Sequence, residues 1–239
     1  MPGLGTLVNV IAVIVAGVIG CTLHGGLKKR FQDILMHALG LSTLFIGVAG
    51  ALRGLLTLTE GKLETDGAMT LIGSLVIGSF VGEWINIEKH IESFGEWLKK
   101  KAGSERDMRF TDGFVSATLV ICVGAMAVVG SLQDGISRDS SMLFTKSVLD
   151  FVIILVMAST LGKGVIFSAI PLGIFQGIIT LFAGGIEPLL SENSIRTLAF
   201  VGSVLIFCVG VNITFGKKFK VGNMLPSLIP AVIFGLCGF

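Results

Sequence analysis

Of the 239 residues, 52% are hydrophobic and 14% charged, where soluble domains carry roughly 25% charged residues. With a mean hydropathy of +0.89, the chain holds more apolar surface than a soluble core absorbs, which excludes a water-soluble globular domain. The net charge of +2 says little as a sum, because in a membrane protein the distribution of charge carries the information.

Apolar runs recur along the whole length, each close to the ~20 residues that a helix needs to cross the hydrocarbon core. They fall at 4-23, 33-57, 68-86, 113-133, 143-161, 164-184, 195-215 and 223-239. No alternating pattern of the kind an outer-membrane barrel needs is present. The expected fold is all-α: a polytopic transmembrane helical bundle of about eight spans in a single domain, 1-239. The first run, Leu4 to Leu23, follows no basic residue and ends in no small-residue cleavage site, so it reads as a retained helix and not a signal sequence. Cys21, Cys122, Cys208 and Cys237 stand singly inside apolar runs and are expected as four free, buried thiols. His24 and His37, near the ends of the first two spans, have no partner at metal spacing. No metal and no cofactor is expected.

Between spans three and four, Trp84, Ile87, Ile91, Phe94 and Leu98 recur at helical spacing, opposite Glu88, Lys89, Glu92, Glu96 and Lys99 to Lys101. That pattern predicts an amphipathic helix over 84-103 lying on the membrane surface. It serves either as a lipid sensor or partner-docking helix, or as an interfacial linker anchored by Trp84 and Trp97, and the linker reading is preferred. Glu83, beside Gly82 at the interface, is expected to snorkel or to be solvated.

Ionisable groups inside spans usually face a bundle interior or a water-filled cavity. Asp150 is the clearest, about 10 Å into span five at 1.5 Å per residue. Lys146 lies one turn earlier on the same face. The two form either a structural ion pair, or a proton or cation site in which Lys146 tunes Asp150. Span four ends in Gly130-Ser-Leu-Gln-Asp-Gly135, so Gln133 and Asp134 sit at its outer mouth; Asp-Gly reads as turn chemistry, with the start of an ion path towards Asp150 as the alternative. Asn9, Gln176, Asn212 and Asn223 are neutral polar residues in or beside spans, suited to bonding across helices at roughly 1 kcal/mol each or to coordinating a cation or substrate, and helix bonding is the preferred reading.

With the N-terminus outside, the cytoplasmic connections hold Lys28, Lys29, Arg30, Lys89, Lys99, Lys100, Lys101, Arg106, Arg109, Lys163, Lys217, Lys218 and Lys220. Arg53, Lys62, Arg138, Lys146 and Arg196 fall on the other side, so the positive-inside rule selects both termini outside a bacterial inner membrane. Leu71 to Gly82 (LIGSLVIGSFVG) resembles Met224 to Gly235 (MLPSLIPAVIFG), and Leu44 to Val48 (LFIGV) resembles Phe207 to Val211 (FCVGV). The glycine-rich first span resembles the sixth, with Asn9 opposite Ser168. Spans 1-2-3 thus reappear as 6-7-8, and the odd offset makes the copies cross in opposite directions: an inverted repeat, as in many secondary transporters. The expected organisation is a first repeat at 1-83, a linker helix at 84-110, a central helix pair at 111-162 and a second repeat at 163-239. Gly73, Gly78 and Gly82 in span three, with Pro226 and Pro230 in span eight, mark either broken helices that line a site or close packing and tolerated kinks.

No Walker loop, HExxH, GxSxG or dinucleotide fingerprint occurs, and no soluble segment is long enough for an ATPase or nucleic-acid domain. The expectation is no enzyme and no nucleic-acid partner. The segments GLGTLVNVIAVIVAG, CVGAMAVVGSLQDG, KSVLDF with ASTLGKGV, and VGNMLPSLIPA together resemble the YqgA/YdfK-like bacterial inner-membrane proteins, domain of unknown function 554, over essentially the whole chain. The resemblance implies a multi-pass membrane protein of a family often labelled as transporters, and assigns no role to any residue. The residues and the resemblance together lead to a small secondary transporter or ion-translocating protein, with a midplane site built from spans four and five and broken spans three and eight. It is expected in the bilayer as a homo-oligomer, carrying a small ion or solute. A non-transporting scaffold or sensor and a passive channel are the alternatives. A water-accessible cavity at Asp150 favours transport, and a dry interior favours the scaffold.

Overall fold

The computed structural model describes residues 2–24, 28–59, 62–122, 125–186 and 191–238. Two apolar helices, α1 (Leu4–His24) and α2 (Lys29–Leu55), lead into a short antiparallel hairpin, β1 (Leu56–Thr59) and β2 (Lys62–Thr65), paired Leu56 to Thr65. Helix α3 (Ala68–Ile85) ends where Asn86 enters the left-handed region (φ 58°), donating its N–H to the Gly82 carbonyl, and α4 (Ile87–Lys101) leaves in a new direction. Helices α5 (Phe110–Cys122) and α6 (Ala125–Ile136) form a pair bent by 61°. Next comes α7 (Ser141–Leu161), stopped at Gly162 (φ 81°), and a 3-10 turn, Lys163–Ser168, feeding α8 (Ala169–Leu181). The chain closes with the short α9 (Ala183–Ile186), the long α10 (Glu192–Phe215), and a helical run of α11 (Val221–Met224), a 3-10 turn and α12 (Leu228–Cys237). Among the described residues six helices are long and apolar enough to cross a membrane, and a seventh if α5 and α6 are one span; Val221–Cys237 is shorter. The protein is an all-α polytopic bundle.

Several expectations are corrected. Span two stops at Leu55, and Leu56–Thr59 and Lys62–Thr65 pair as strands, LTLT with its alternating β-branched threonines favouring the extended chain. Helix α3 runs unbroken through Gly73 and Gly78, so these glycines mark close approach and not a break. Span eight tightens to a 3-10 turn at Leu225–Ser227 around Pro226 but stays one helical run, Val221–Cys237, with Pro230 inside the first turn of α12. The interruption lies in span four, which had read as continuous. The amphipathic helix starts at Ile87, leaving Trp84 on α3, and Glu88, assigned to its polar face, is buried. All four cysteines are free, but Cys237 is exposed and Cys21 and Cys122 are half-buried, because the ends and lipid-facing sides of spans need no protein cover.

Packing divides the helices into two bodies. In the first, α2 and α10 run antiparallel, with Gly40, Gly47 and Gly210 lying directly on the opposing helix. A Cβ on Gly47 would stand 2.5 Å from the Phe207 nitrogen, and one on Gly210 2.6 Å from the Leu44 nitrogen. Helix α3 joins this body by packing antiparallel on α11–α12, Gly78 against Ser227 and Gly82 against the Asn223 carbonyl. In the second body α1 and α7 run parallel, Gly5 on Leu143 and Gly20 on Ala158, and α5, α6 and α8 surround them. Its core is Val13, Ala16, Ile121, Ile154, Met157 and Leu172. The bodies meet along a thin seam, α7 against α2 and α5 and α6 against α10, while α4 crosses the seam at one end of the molecule. The hairpin marks the opposite end.

A methyl group at Gly82 would run into the Asn223 carbonyl, and one at Gly164 into the Phe110 carbonyl, whereas one at Gly177 meets nothing within 4 Å. Gly82→Ala and Gly164→Ala are expected to destabilise the purified protein by about 1–3 kcal/mol or more. Gly177→Ala should stay within about 0.5 kcal/mol, all three being measured by thermal unfolding in detergent.

Candidate functional site

The centre of the second body holds the charges that span five carries. Asp150 and Lys146, 4% and 6% exposed, sit one turn apart on α7, and the Lys146 ammonium is paired with the Asp150 carboxylate. Lys146 also donates to the Ile121 carbonyl at 2.8 Å. Ile121 lies in the last turn of α5, at the negative end of the helix dipole, which favours an ammonium there. From α1, the Asn9 amide donates to Asp150 at 3.0 Å and to the Gln176 carbonyl of α8 at 3.4 Å. All four side chains are buried. Asn9 Oδ1 and Gln176 Nε2 lack partners among the described residues, leaving one acceptor and one donor open at the cluster.

One turn nearer the hairpin end lies a second polar layer. Asp134, fully buried on α6, accepts from the Gly5 N–H at 3.2 Å and from the Ser140 hydroxyl at 2.6 Å. A carboxylate at the first turn of α1 meets free amide N–H groups and the positive end of the dipole. Asp134 and Gly135 are helical, so the turn reading fails: α6 runs to Ile136, and Gly135 lets it lie on the Thr180 carbonyl. Gln133 is half-buried, and its backbone carbonyl takes the N–H groups of Ser137 and Asp139 as the helix ends. Between the layers, Thr180 donates to the Ser131 carbonyl at 3.1 Å and its hydroxyl lies 3.5 Å from that of Thr6. Thr6 and Thr180 were not singled out from the sequence, where a threonine in an apolar helix carries no signal of its partner.

Asn212 and Asn223 do not join this cluster. Asn212 closes the turn after α10, its carbonyl accepting from Lys218 and Phe219 N–H groups at 2.8 and 2.9 Å. Asn223 takes the Glu88 N–H at 2.7 Å and donates to Glu83 at 2.6 Å, tying α3, α4 and α11 together. Glu83 is exposed, as the solvated reading expects, and also pairs with Lys220. Glu88, 4% exposed, accepts from Gly222 N–H and pairs with Lys217, which also reaches Glu92. Burial lowers the Lys217 pKa, but the hydrogen bonds to Glu88 and Glu92 outweigh it, and the net shift is upward. The lysine therefore stays charged through neutral pH, and its contribution is lost only as pH rises through that raised value. Gly73, Gly78, Pro226 and Pro230 lie in the α3/α12 packing of the first body, away from Asp150. A site combining spans four and five with spans three and eight is thus not assembled: Asp150 is enclosed by α1, α5, α7 and α8.

The main cavities lie elsewhere. One of about 870 Å³ opens at the hairpin end between the bodies, lined by Arg53, Met126, Val129, Met142, Arg196 and Ser203. Another, about 280 Å³, opens at the α4 end of the same seam, beside Glu88, Glu92, Asp112 and Ser116. Asp150, Lys146, Asn9 and Gln176 line neither of these, nor the cavities at Lys163, Thr70 and Phe175. Among the described residues no three His, Cys, Asp or Glu side chains converge as metal ligands.

Several long apolar helices, with Lys146 and Asp150 buried among them, define a polytopic membrane protein. The chain belongs to the family described as Protein of unknown function (DUF554), which it matches over residues 4–236. It is 32% identical over 237 residues to the uncharacterized membrane protein YdfK of Bacillus subtilis (strain 168), covering 98% of this chain and 97% of that protein. To the uncharacterized protein YqgA of Escherichia coli (strain K12) it is 29% identical over 236 residues, covering 96% and 94%. No solved structure matches the chain.

Removing one member of the buried pair strands the other charge, at about 3–5 kcal/mol. Lys146→Met and Asp150→Asn should each lower the unfolding temperature markedly. The double variant should lose clearly less than the sum, and strictly additive losses would show that the pair is not coupled.

Proposed function

We propose that the protein is a small secondary transporter or ion-translocating protein of the bacterial inner membrane, with Lys146, Asp150, Asn9 and Gln176 as its coupling cluster. The observation carrying this reading is the buried ion pair set against the bend in span four, with an unpaired acceptor and donor beside it. Charged residues at membrane depth beside a discontinuous helix are the arrangement transporters use for substrates and coupling ions. Because the cluster is enclosed, access requires a conformational change, which separates this reading from a passive channel.

Eight crossings with both termini outside fit the direction of the packed pairs. Parallel α1 and α7 require α5 and α6 together to cross once, and antiparallel α3 and α12 fit an eighth crossing. The basic groups at 28-30, on α4, at Lys163 and at 217-220 then share the cytoplasmic side. An inverted repeat finds support in reciprocal packing: Gly47 lies on Phe207 while Gly210 lies on Leu44, residues matched by the LFIGV and FCVGV segments. The bilayer is the protein's environment, and open space around Gly177 leaves a face where a second copy could approach. The reading includes no enzymatic step and no nucleic-acid partner.

A scaffold is the second reading, favoured by one observation: among the described residues, Asp150 lines none of the five cavities noted above. Flux assays in proteoliposomes across cations, protons and small organic acids separate the two. The transport reading expects a saturable flux that Asp150→Asn abolishes and Asp150→Glu partly retains, at equal amounts of folded protein. No flux from wild type for any of these solutes, or unchanged flux in Asp150→Asn, contradicts it.

A further inference from the structure

The two bodies are each tied together far more firmly than they are tied to one another. Inside the first, glycine contacts bring α2 and α10 into backbone contact, and side chains cannot yield there. Inside the second, α1 and α7 share the same kind of contact and the Asn9, Asp150 and Lys146 bonds. The seam between them is held by fewer elements, with Thr160 of α7 donating to the Met36 sulfur of α2 at 2.9 Å, and it opens into a cavity at either end. Between the cavities stands an apolar septum, Leu119, Leu205 and Val209. Ser203 and Asn212, the nearest of the α10 residues that line the two cavities, are about 14 Å apart along the helix, roughly half the hydrocarbon thickness.

The ends of the seam differ in charge. Arg53 and Arg196 line the hairpin-end cavity against a single carboxylate, Glu192, and the rest of its wall is mainly thioether, aliphatic and aromatic. Arg196 donates to Thr57 at 3.4 Å and also borders a smaller cavity with Asp66. At the α4 end Glu88, Glu92 and Asp112 face one lysine, Lys217, already paired with both glutamates. A volume of about 870 Å³ far exceeds that of a bare ion and lies in the range of small-molecule sites. Two guanidinium groups over an apolar wall match a small organic anion, whose carboxylate pairs with arginine while its carbon skeleton covers the methionines.

We propose that the hairpin-end cavity is an anion-selective binding vestibule for a small organic acid, and that the solute's route is the seam, closed at Leu119, Leu205 and Val209. The proposal rests on the transport reading and adds the solute class and the path. Asp150 lies off this path, inside the second body, which fits a coupling role in place of direct solute contact.

The test uses the full chain with Cys21, Cys122, Cys208 and Cys237 replaced by serine or alanine, and single cysteines introduced by Val129→Cys, Met142→Cys or Ser116→Cys. Each is reconstituted and treated from either side with sulfonate-bearing and trimethylammonium-bearing methanethiosulfonate reagents. Val129→Cys and Met142→Cys should react from the hairpin side only, several-fold faster with the sulfonate. Adding Arg53→Gln and Arg196→Gln should abolish that preference. Ser116→Cys should react only from the α4 side and favour the ammonium reagent. No reaction at either hairpin-side position, or a preference untouched by the arginine substitutions, overturns the proposal. The reactivities need no transported solute, so a negative flux assay and a failed vestibule are told apart.

Discussion

Close approach of helix backbones at glycine is the constraint on which this bundle depends. Lipid tails are as apolar as leucine, so helices in a membrane gain little from burying side chains against each other and associate through packing and hydrogen bonds instead. Gly40, Gly47 and Gly210 bring α2 against α10, Gly78 and Gly82 bring α3 against α11 and the turn after it, and Gly5 and Gly20 bring α1 against α7. At each position a Cβ would collide with the neighbouring helix, so these contacts fix which helices belong together. The two bodies, and the looser seam between them, follow from where the glycines are.

Within the second body the same closeness makes polar groups expensive to leave unpaired. Asp150 is compensated by Lys146 and Asn9, and Lys146 in turn by the Ile121 carbonyl in the last turn of α5. Asp134 caps α1, a role that needs α6 to continue helical through Gly135. The polar interior is therefore not a lining of solvent but a set of bonds, with Asn9 and Gln176 each holding one group in reserve. At the α4 end the pattern is electrostatic: Glu83, Glu88 and Glu92 meet Lys217 and Lys220 and bind the linker helix to the first body.

The apolar character of the spans was legible in the sequence, and six described helices are long and apolar enough to cross a bilayer, because such a run is a property of adjacent residues. Lys146 and Asp150 were legible for the same reason, one helical turn separating them. Their other partners were not: Asn9 is 141 residues from Asp150 and 167 from Gln176, and no local pattern encodes such a pairing. Glu88 was misread because its neighbours on the helix are charged, while the groups that bury it, Gly222 and Lys217, lie in the last third of the chain. The bend in span four was hidden by an apolar sequence that reads as continuous, and the prolines that point to span eight produce only a 3-10 turn there. The family gives the chain relatives but assigns no chemistry to any of its residues.

Relative motion of the two bodies is the claim from which transport along the seam follows. Spin labels at Ser141 on α7 and Glu192 on α10, both exposed at the hairpin end, span the seam, while labels at Pro2 and Ser141 lie within the second body. Pulsed dipolar distances measured in liposomes should show two populated separations for Ser141 and Glu192 and one for Pro2 and Ser141. A single narrow separation for the cross-seam pair, unchanged by an imposed pH gradient or by added organic acids, would contradict it.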